Sequence, residues 1–338
     1  MGRRRFFSGL LFCLPTLSLA MLYAACGSRT GLLVPEEAPP EDAANEHVIL
    51  RDAMPEAGLD APPEVGFDAP MDVIGFRDVP AIDICPDAGA TLIYVLTQDN
   101  VLLSFYPPTL AFTQIGVIEC TTTGSSPFSM AVDRRGIAYS VFTDGTLFRV
   151  DTASGACEPT TYVPDQQGGG NTFSTFGMGF VANSGDAGET LFVAEANVTN
   201  PALRDSKGLA SIDTTTYKLD FVGPFGMPGS GPVAGPELTG TSDGTLYAFY
   251  TNQNGGSGSH ILQIDKSTAA IVHDYPLQVG EPDDAYAFGF WGGDFWVFTS
   301  DGTFTQVTQF DPTSGAETAA TTYDDVIVGA GVSTCAPQ

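Results

Sequence analysis

From about residue 90 onward, apolar residues come in short β-rich runs separated by polar turns. The runs "TLIYVLT" (91–97), "GIAYSVFT" (136–143), "TLFVAEA" (190–196), "TLYAFYT" (245–251) and "DFWVFTS" (294–300) are dense in β-branched and aromatic residues. Each is followed by a second strand-like run that ends in a punctuated turn: "FYPPTL" (105–110), "VDTASG" (150–155), "IDTTTY" (212–217), "IDKSTA" (264–269) and "FDPTSG" (310–315). Asp144-Gly145, Asp243-Gly244 and Asp301-Gly302 are hairpin signals, because tight two-residue turns need positive φ. The formula returns at a spacing of roughly 45–60 residues, and four strands per unit at that spacing predict a β-propeller.

A further run precedes most units: "PFSMAVD" (127–133), "FGMGFV" (176–181), "PELTGTS" (236–242) and "YAFGFW" (286–291). Small residues recur in these runs at Ala131, Gly177, Gly179, Gly240, Ala287 and Gly289. Inner strands converge on a central channel, where side-chain volume must shrink, so these runs read as innermost strands. Five outer sets then have only four inner strands before them. The C-terminal run "VIVGAGVST" (326–334), small at Gly329, Ala330 and Gly331, supplies the fifth. The expected fold is all-β: five four-stranded blades closed by the C-terminal strand, occupying residues 85–338. Closure of that kind removes two free sheet edges.

Composition agrees with this picture and narrows the partners. The chain has 338 residues, 43% of them hydrophobic, but only 16% charged, below the globular average of about 25%. Its net charge of −27 repels phosphate backbones, which argues against nucleic acid as a partner. No sequence feature calls for a cofactor.

Residues 1–25 read as an export signal: Arg3, Arg4 and Arg5, an apolar stretch from Phe6 to Leu22, then Ala24 and Ala25 before Cys26. Pro15 and the small residues favour cleavage over a membrane span, which needs about 20 uninterrupted apolar residues. The stretch "LYAACGS" (22–28) resembles the bacterial lipobox at Ala24, Ala25 and Cys26, with Tyr23 where Leu is usual and Leu22 one position early. That resemblance implies a diacylglycerol on Cys26, which becomes the mature N-terminus, and Gly27 in place of Asp implies the outer membrane. "RRRFF" is similar to a twin-arginine signal, but it reads first as an ordinary basic start. Residues 26–84 are rich in Pro, Asp, Glu and Ala without apolar periodicity, and are expected to form an extended, disordered acidic tether.

With Cys13 lost and Cys26 acylated, Cys85, Cys120, Cys157 and Cys335 remain, which allows three pairings of two disulfides. Cys335 ends the proposed inner strand of blade 1 and Cys85 just precedes the next strand of the same blade, so Cys85–Cys335 is geometrically reasonable. Cys120–Cys157 follows by elimination. No CxxC or His/Cys spacing suggests a metal site.

Chemistry is sparse. His47, His260 and His273 stand in no nucleophile motif, GxSxG and HExxH are missing, and "QQGGGN" (166–171) and "NQNGGSGS" (252–259) lack a following GK[ST]. Glu237, Asp284 and Asp325 lie at or just before inner strands, at the expected channel mouth. Five-bladed glycoside hydrolases place acidic residues there, and this similarity implies paired carboxylates as candidates. A chain with 40 Asp and Glu puts three there without any function. The longest expected loops share that face, where Phe173, Phe225 and Trp291 are candidate aromatic platforms, Trp291 reading also as core or channel lining. Arg134 and Arg135 read as a turn on the opposite face.

Together with the lipobox-like segment and the acidic tether, "PFSMAVDRRG", "FWGGDFWVF" and "IVGAGVSTCAP" resemble Gram-negative exported lipoproteins with a five-bladed propeller domain. The resemblance implies location and fold and carries no activity. The expected protein is a monomeric, lipid-anchored surface propeller that binds a protein or glycan on its long-loop face without catalysis. A glycoside hydrolase-like enzyme and a structural envelope component are the alternatives.

Overall fold

The structure is a computed structural model that describes residues 85 and 91–338, apart from 121, 123, 167–172, 185–187, 197–205, 229–231, 252–257 and 280–284. Its twenty strands form five four-stranded antiparallel sheets. In chain order these strands are β1 (Ile93–Thr97), β2 (Val101–Tyr106) and β3 (Ala111–Val117); β4 (Pro127–Val132), β5 (Ile137–Phe142), β6 (Leu147–Asp151) and β7 (Cys157–Pro159); and β8 (Phe176–Ala182), β9 (Glu189–Glu195), β10 (Leu209–Ile212) and β11 (Leu219–Gly223). Then come β12 (Glu237–Gly240), β13 (Leu246–Thr251), β14 (Ser259–Ile264) and β15 (Ile271–Leu277), β16 (Ala285–Trp291), β17 (Asp294–Ser300), β18 (Thr305–Asp311) and β19 (Ala316–Tyr323), and finally β20 (Ile327–Val332). Blades 2 to 5 are each consecutive in sequence, whereas blade 1 runs β20-β1-β2-β3. The C-terminal strand pairs with β1 through Ile93↔Val332, Val95↔Ala330 and Leu96↔Gly329. The five-bladed ring is therefore closed by the last strand, as the count of inner strands predicts.

The small residues of the inner strands receive the backbone of the neighbouring blade. A Cβ on Gly177 would meet the Pro236 carbonyl oxygen at 2.0 Å, and one on Gly240 would meet the Phe180 carbonyl oxygen at 2.3 Å. At the closure, a Cβ on Gly331 would lie 2.7 Å from a Val132 methyl, and one on Gly289 would lie 2.4 Å from a Val332 methyl. Larger side chains fill the wider spaces between blades. Phe105 of blade 1 packs edge-on against Trp296 and Phe298 of blade 5, and Tyr139 of blade 2 packs against Phe180 of blade 3. Such aromatic pairs add to the burial of apolar area.

The repeated Asp-x-x-(Ser/Thr) punctuation has a local cause. Asp151 Oδ1 accepts from the Ala153 and Ser154 N–H groups, and Asp213 Oδ1 from those of Thr215 and Thr216. Asp265 accepts from the Ser267 N–H, and Asp311 from those of Thr313 and Ser314. Each carboxylate thus holds the turn between the third and fourth strands of its blade. Hydrogen bonds to the charged form keep Asp213, Asp265 and Asp311 below the ordinary carboxylate range. Gly145, Gly244 and Gly302 have φ of 86°, 88° and 88°, the left-handed conformation expected of the three Asp-Gly turns.

Among the described residues there are two disulfides. Cys85–Cys335 joins Cα atoms 5.5 Å apart and closes a sequence separation of 250, and Cys120–Cys157 closes one of 37.

Candidate functional site

Antiparallel pairing gives each blade two distinct ends. Connections from the second to the third strand, and from one blade to the next, leave one end; the remaining turns leave the other. The first end carries 160–175, 196–208 and 224–236, whereas no connection at the other end is longer than six residues. All the long loops anticipated from sequence therefore share one end. Exposed apolar side chains stand there: Met227 (79% exposed), Val163 (61%) and Phe304 (39%).

Glu237 opens β12 and was expected at the channel mouth. Its carboxyl is buried, with only 4% of the residue exposed. Ser129 Oγ of blade 2 donates to it at 2.7 Å, and the Met178 N–H of blade 3 donates as well. One carboxyl therefore ties three inner strands together across the channel. Burial pushes it well above the ordinary carboxyl range, against the lowering effect of these two hydrogen bonds. Asp325 is half-buried and accepts from its own neighbour's Val326 N–H at 2.7 Å, and among the described residues no hydrogen bond or ion pair links it to Glu237. Asp284 lies outside the described residues.

The aromatic candidates separate. Phe173 is buried at 1% exposure and packs edge-on against Phe221, so its ring belongs to the core. Phe225 is half-buried in the 224–236 loop, packed against the apolar cluster between blades 3 and 4. Trp291 ends β16, at the short-turn end of the ring and away from the long loops, with its Nε1 donating to the Thr91 carbonyl. Placing it on the long-loop face overlooked strand direction: the run "YAFGFW" starts at one end of the blade and finishes at the other.

The short-turn end holds features that the sequence reading missed. Residues 333–338 follow β20 across the ring: Ser333, Thr334 and Ala336 are buried, the Pro337 carbonyl accepts from Gly292 N–H of blade 5 at 2.8 Å, and Gln338 Oε1 accepts from Ser242 N–H of blade 4 at 3.2 Å. The Thr334 hydroxyl donates to Glu189 Oε2 at 2.9 Å and accepts from Arg134 Nε at 2.6 Å. Glu189 also accepts from the Arg134 N–H at 2.7 Å. Arg134 therefore occupies its expected turn but helps to fasten the tail. Burial pushes the Glu189 carboxyl up to about 7, against the lowering effect of these hydrogen bonds and of Arg134 Nε at 3.8 Å. The tail and its disulfide stopper one end of the channel. The signal available in sequence was the segment after "VIVGAGV", read only as strand end and latch.

Also at this end is a cavity of about 460 Å³ between blades 5 and 1, lined by Trp291, Trp296, Asp294, Gln309, Pro107 and Leu110 among others. Elsewhere, His260 Nδ1 lies 2.8 Å from Asp274 Oδ1, and its ring stacks on Tyr250 within blade 4. His273 packs against Tyr275. Among the described residues no group of three His, Cys, Asp or Glu is placed to hold a metal ion, and no helix is long and apolar enough to cross a membrane.

The architecture defines the class: a five-bladed, disulfide-closed β-propeller with a stoppered channel. No family model and no curated protein matches the chain. Among solved structures it is similar to a chain of the nidogen/laminin complex (12% identity, TM-score 0.44, covering 71% of this chain and 97% of that one). It is also similar to Zg3597, a family 117 glycoside hydrolase of the marine bacterium Zobellia galactanivorans (11% identity, TM-score 0.44, covering 61% and 74%). At these identities the likeness concerns backbone architecture alone.

Proposed function

We propose that the protein is a lipid-anchored, non-catalytic propeller, tethered through Cys26 and residues 26–84, that binds a protein or glycan with its long-loop end. The supporting observation is where the chain joins the ring. Cys85 is bonded to Cys335, which follows β20, and β1 starts at Ile93 opposite Val332. Cys85, where the described chain begins, is therefore fixed at the short-turn end, and the long loops at the other end are clear of that attachment. Exposed Met227 and Val163 on those loops give apolar contact area of the kind that marks recognition surfaces. The buried, cross-linked Glu237 disfavours the glycoside hydrolase alternative, because a catalytic carboxyl must reach substrate.

The test has two arms. Labelling with a palmitate analogue should mark the chain and be lost in Cys26→Ala. A glycan array and a pull-down with the full chain should give saturable binding that Met227→Ser weakens. Glycan turnover abolished by Glu237→Gln would overturn the non-catalytic reading, and binding unaffected by any change in the 160–175 and 224–236 loops would overturn the assignment of the face.

A further inference from the structure

The cavity between blades 5 and 1 belongs to neither the long-loop end nor the channel. Its walls come from both sides of the seam that β20 closes: Trp291, Asp294, Trp296, Gln309 and Thr318 from blade 5, Pro107 and Leu110 from blade 1. These are the chain's two tryptophans, and a hairpin at Gly292-Gly293 brings them to one place. Both rings are held. Trp291 Nε1 donates to the Thr91 carbonyl, Tyr106 meets the Trp291 ring edge-on at 6.1 Å, and Trp296 Nε1 donates to the Trp291 carbonyl at 3.3 Å. Beside them Gln309 Nε2 donates to Asp294 Oδ2 at 2.6 Å, which fixes the carboxylate and the amide against each other.

We propose that this cavity is a binding site for a neutral saccharide. A pyranose ring offers an apolar face of C–H groups to an indole and a rim of hydroxyls that both donate and accept. The half-buried Trp291 indole supplies the first need at little entropic cost, while Trp296, 4% exposed, belongs to the core beside it, and the Asp294–Gln309 pair supplies acceptors and a donor for the second. The site is a groove of about 460 Å³ open to solvent, roomy enough for a sugar ring laid against one wall. The chain's charge of −27 and Asp294 itself disfavour acidic sugars. A proline-rich peptide would also suit aromatic walls, but its backbone is short of N–H donors and its carbonyls would face a carboxylate. The site is separate from the recognition proposed for the long loops, and each can fail without the other.

Because both tryptophans of the chain line the cavity, indole emission reads this site alone. The full chain, excited selectively at its tryptophans, is titrated with cellobiose, maltose and N,N′-diacetylchitobiose. At least one should give a saturable change in emission, and the affinity should fall at least tenfold in Asp294→Ala and in Gln309→Ala, which leave both indoles in place. Trp291→Phe keeps Trp296 as reporter and should also weaken binding, and the melting curve of each variant shows whether it is folded. Because the ligand bridges the seam, the same sugar should raise the melting midpoint of the parent chain and not of Asp294→Ala. The proposal fails if no sugar gives a saturable response, if folded Asp294→Ala and Gln309→Ala bind as the parent does, or if a proline-rich peptide saturates the site and the sugars do not.

Discussion

The two ends of the blades are built by different rules. At the short-turn end nearly every connection is fixed by a named bond: carboxylates of Asp151, Asp213, Asp265 and Asp311 hold their turns, and the C-terminal tail fastens to Gly292, Ser242, Arg134 and Glu189. At the other end the connections run to 160–175, 196–208 and 224–236, and Met227 and Val163 stand in water. The contrast separates two uses of an acidic chain. Aspartates at the turn end stabilise backbone, so their number says nothing about chemistry. Exposed side chains on the long loops, such as Met227 and Val163, are free of that duty, and substitutions at these positions should change recognition without changing the fold.

The harshest test of this contrast is truncation after Asp325, which removes β20 and the tail together. Blade 1 loses its inner strand, and calorimetry should show no cooperative transition like that of the full chain; an unchanged melt would refute the closure. Next come the disulfides. By chain entropy alone, the bond spanning 250 residues contributes ~5.5 kcal/mol and the one spanning 37 ~4 kcal/mol. Cys85→Ser with Cys335→Ser should therefore lower the denaturation midpoint more than Cys120→Ser with Cys157→Ser, and the reverse order would show that the seam is held by packing alone.

A smaller effect concerns pH. The Glu189 carboxyl lies at about 7 in the folded chain against an ordinary value of 4.5. The folded state therefore binds this proton more tightly than the unfolded one, and stability falls as pH rises from about 4.5 to about 7, by on the order of 3 kcal/mol from this group. Glu237, raised by burial in the same direction, adds a slope of the same sign. Glu189→Gln should flatten part of the dependence when midpoints are measured between pH 5 and 8, and a parent chain that grows more stable over that range would contradict the assignment. The smallest expected effect is at the loop end. Met227→Ser should shift stability by no more than about 0.5 kcal/mol, as surface changes do, while weakening ligand binding.

The fold was legible because its cause is periodic. Glycines at 177, 179, 240, 289, 329 and 331 fall where blade backbones meet, and the Asp-x-x-(Ser/Thr) turns mark each unit. Counting strands gave the ring closure and, from it, the partner of Cys335. The site was much less legible. Glu237 could be placed at an inner strand from sequence, but its burial depends on Ser129, 108 residues away, and no local pattern reports that bond. Trp291 reads from sequence first as core or channel lining and second as a platform on the long loops; strand direction puts it at the short-turn end, packed against the core of blades 5 and 1. The tail's role as a stopper rests on contacts to blades 2, 3, 4 and 5, which a six-residue segment of small and polar residues does not advertise.

Ring closure by the last strand also sets an order in time. Cys335 is made 250 residues after Cys85, a delay of about 12–50 s at ordinary synthesis rates. Cys120 and Cys157 emerge early in that interval, and each is nearer to Cys85 in sequence than its native partner is. Their bond to each other withdraws both competing thiols, leaving Cys85 a single partner when the chain end arrives. A Cys120–Cys157 bond formed first would therefore favour the native pairing of Cys85 with Cys335.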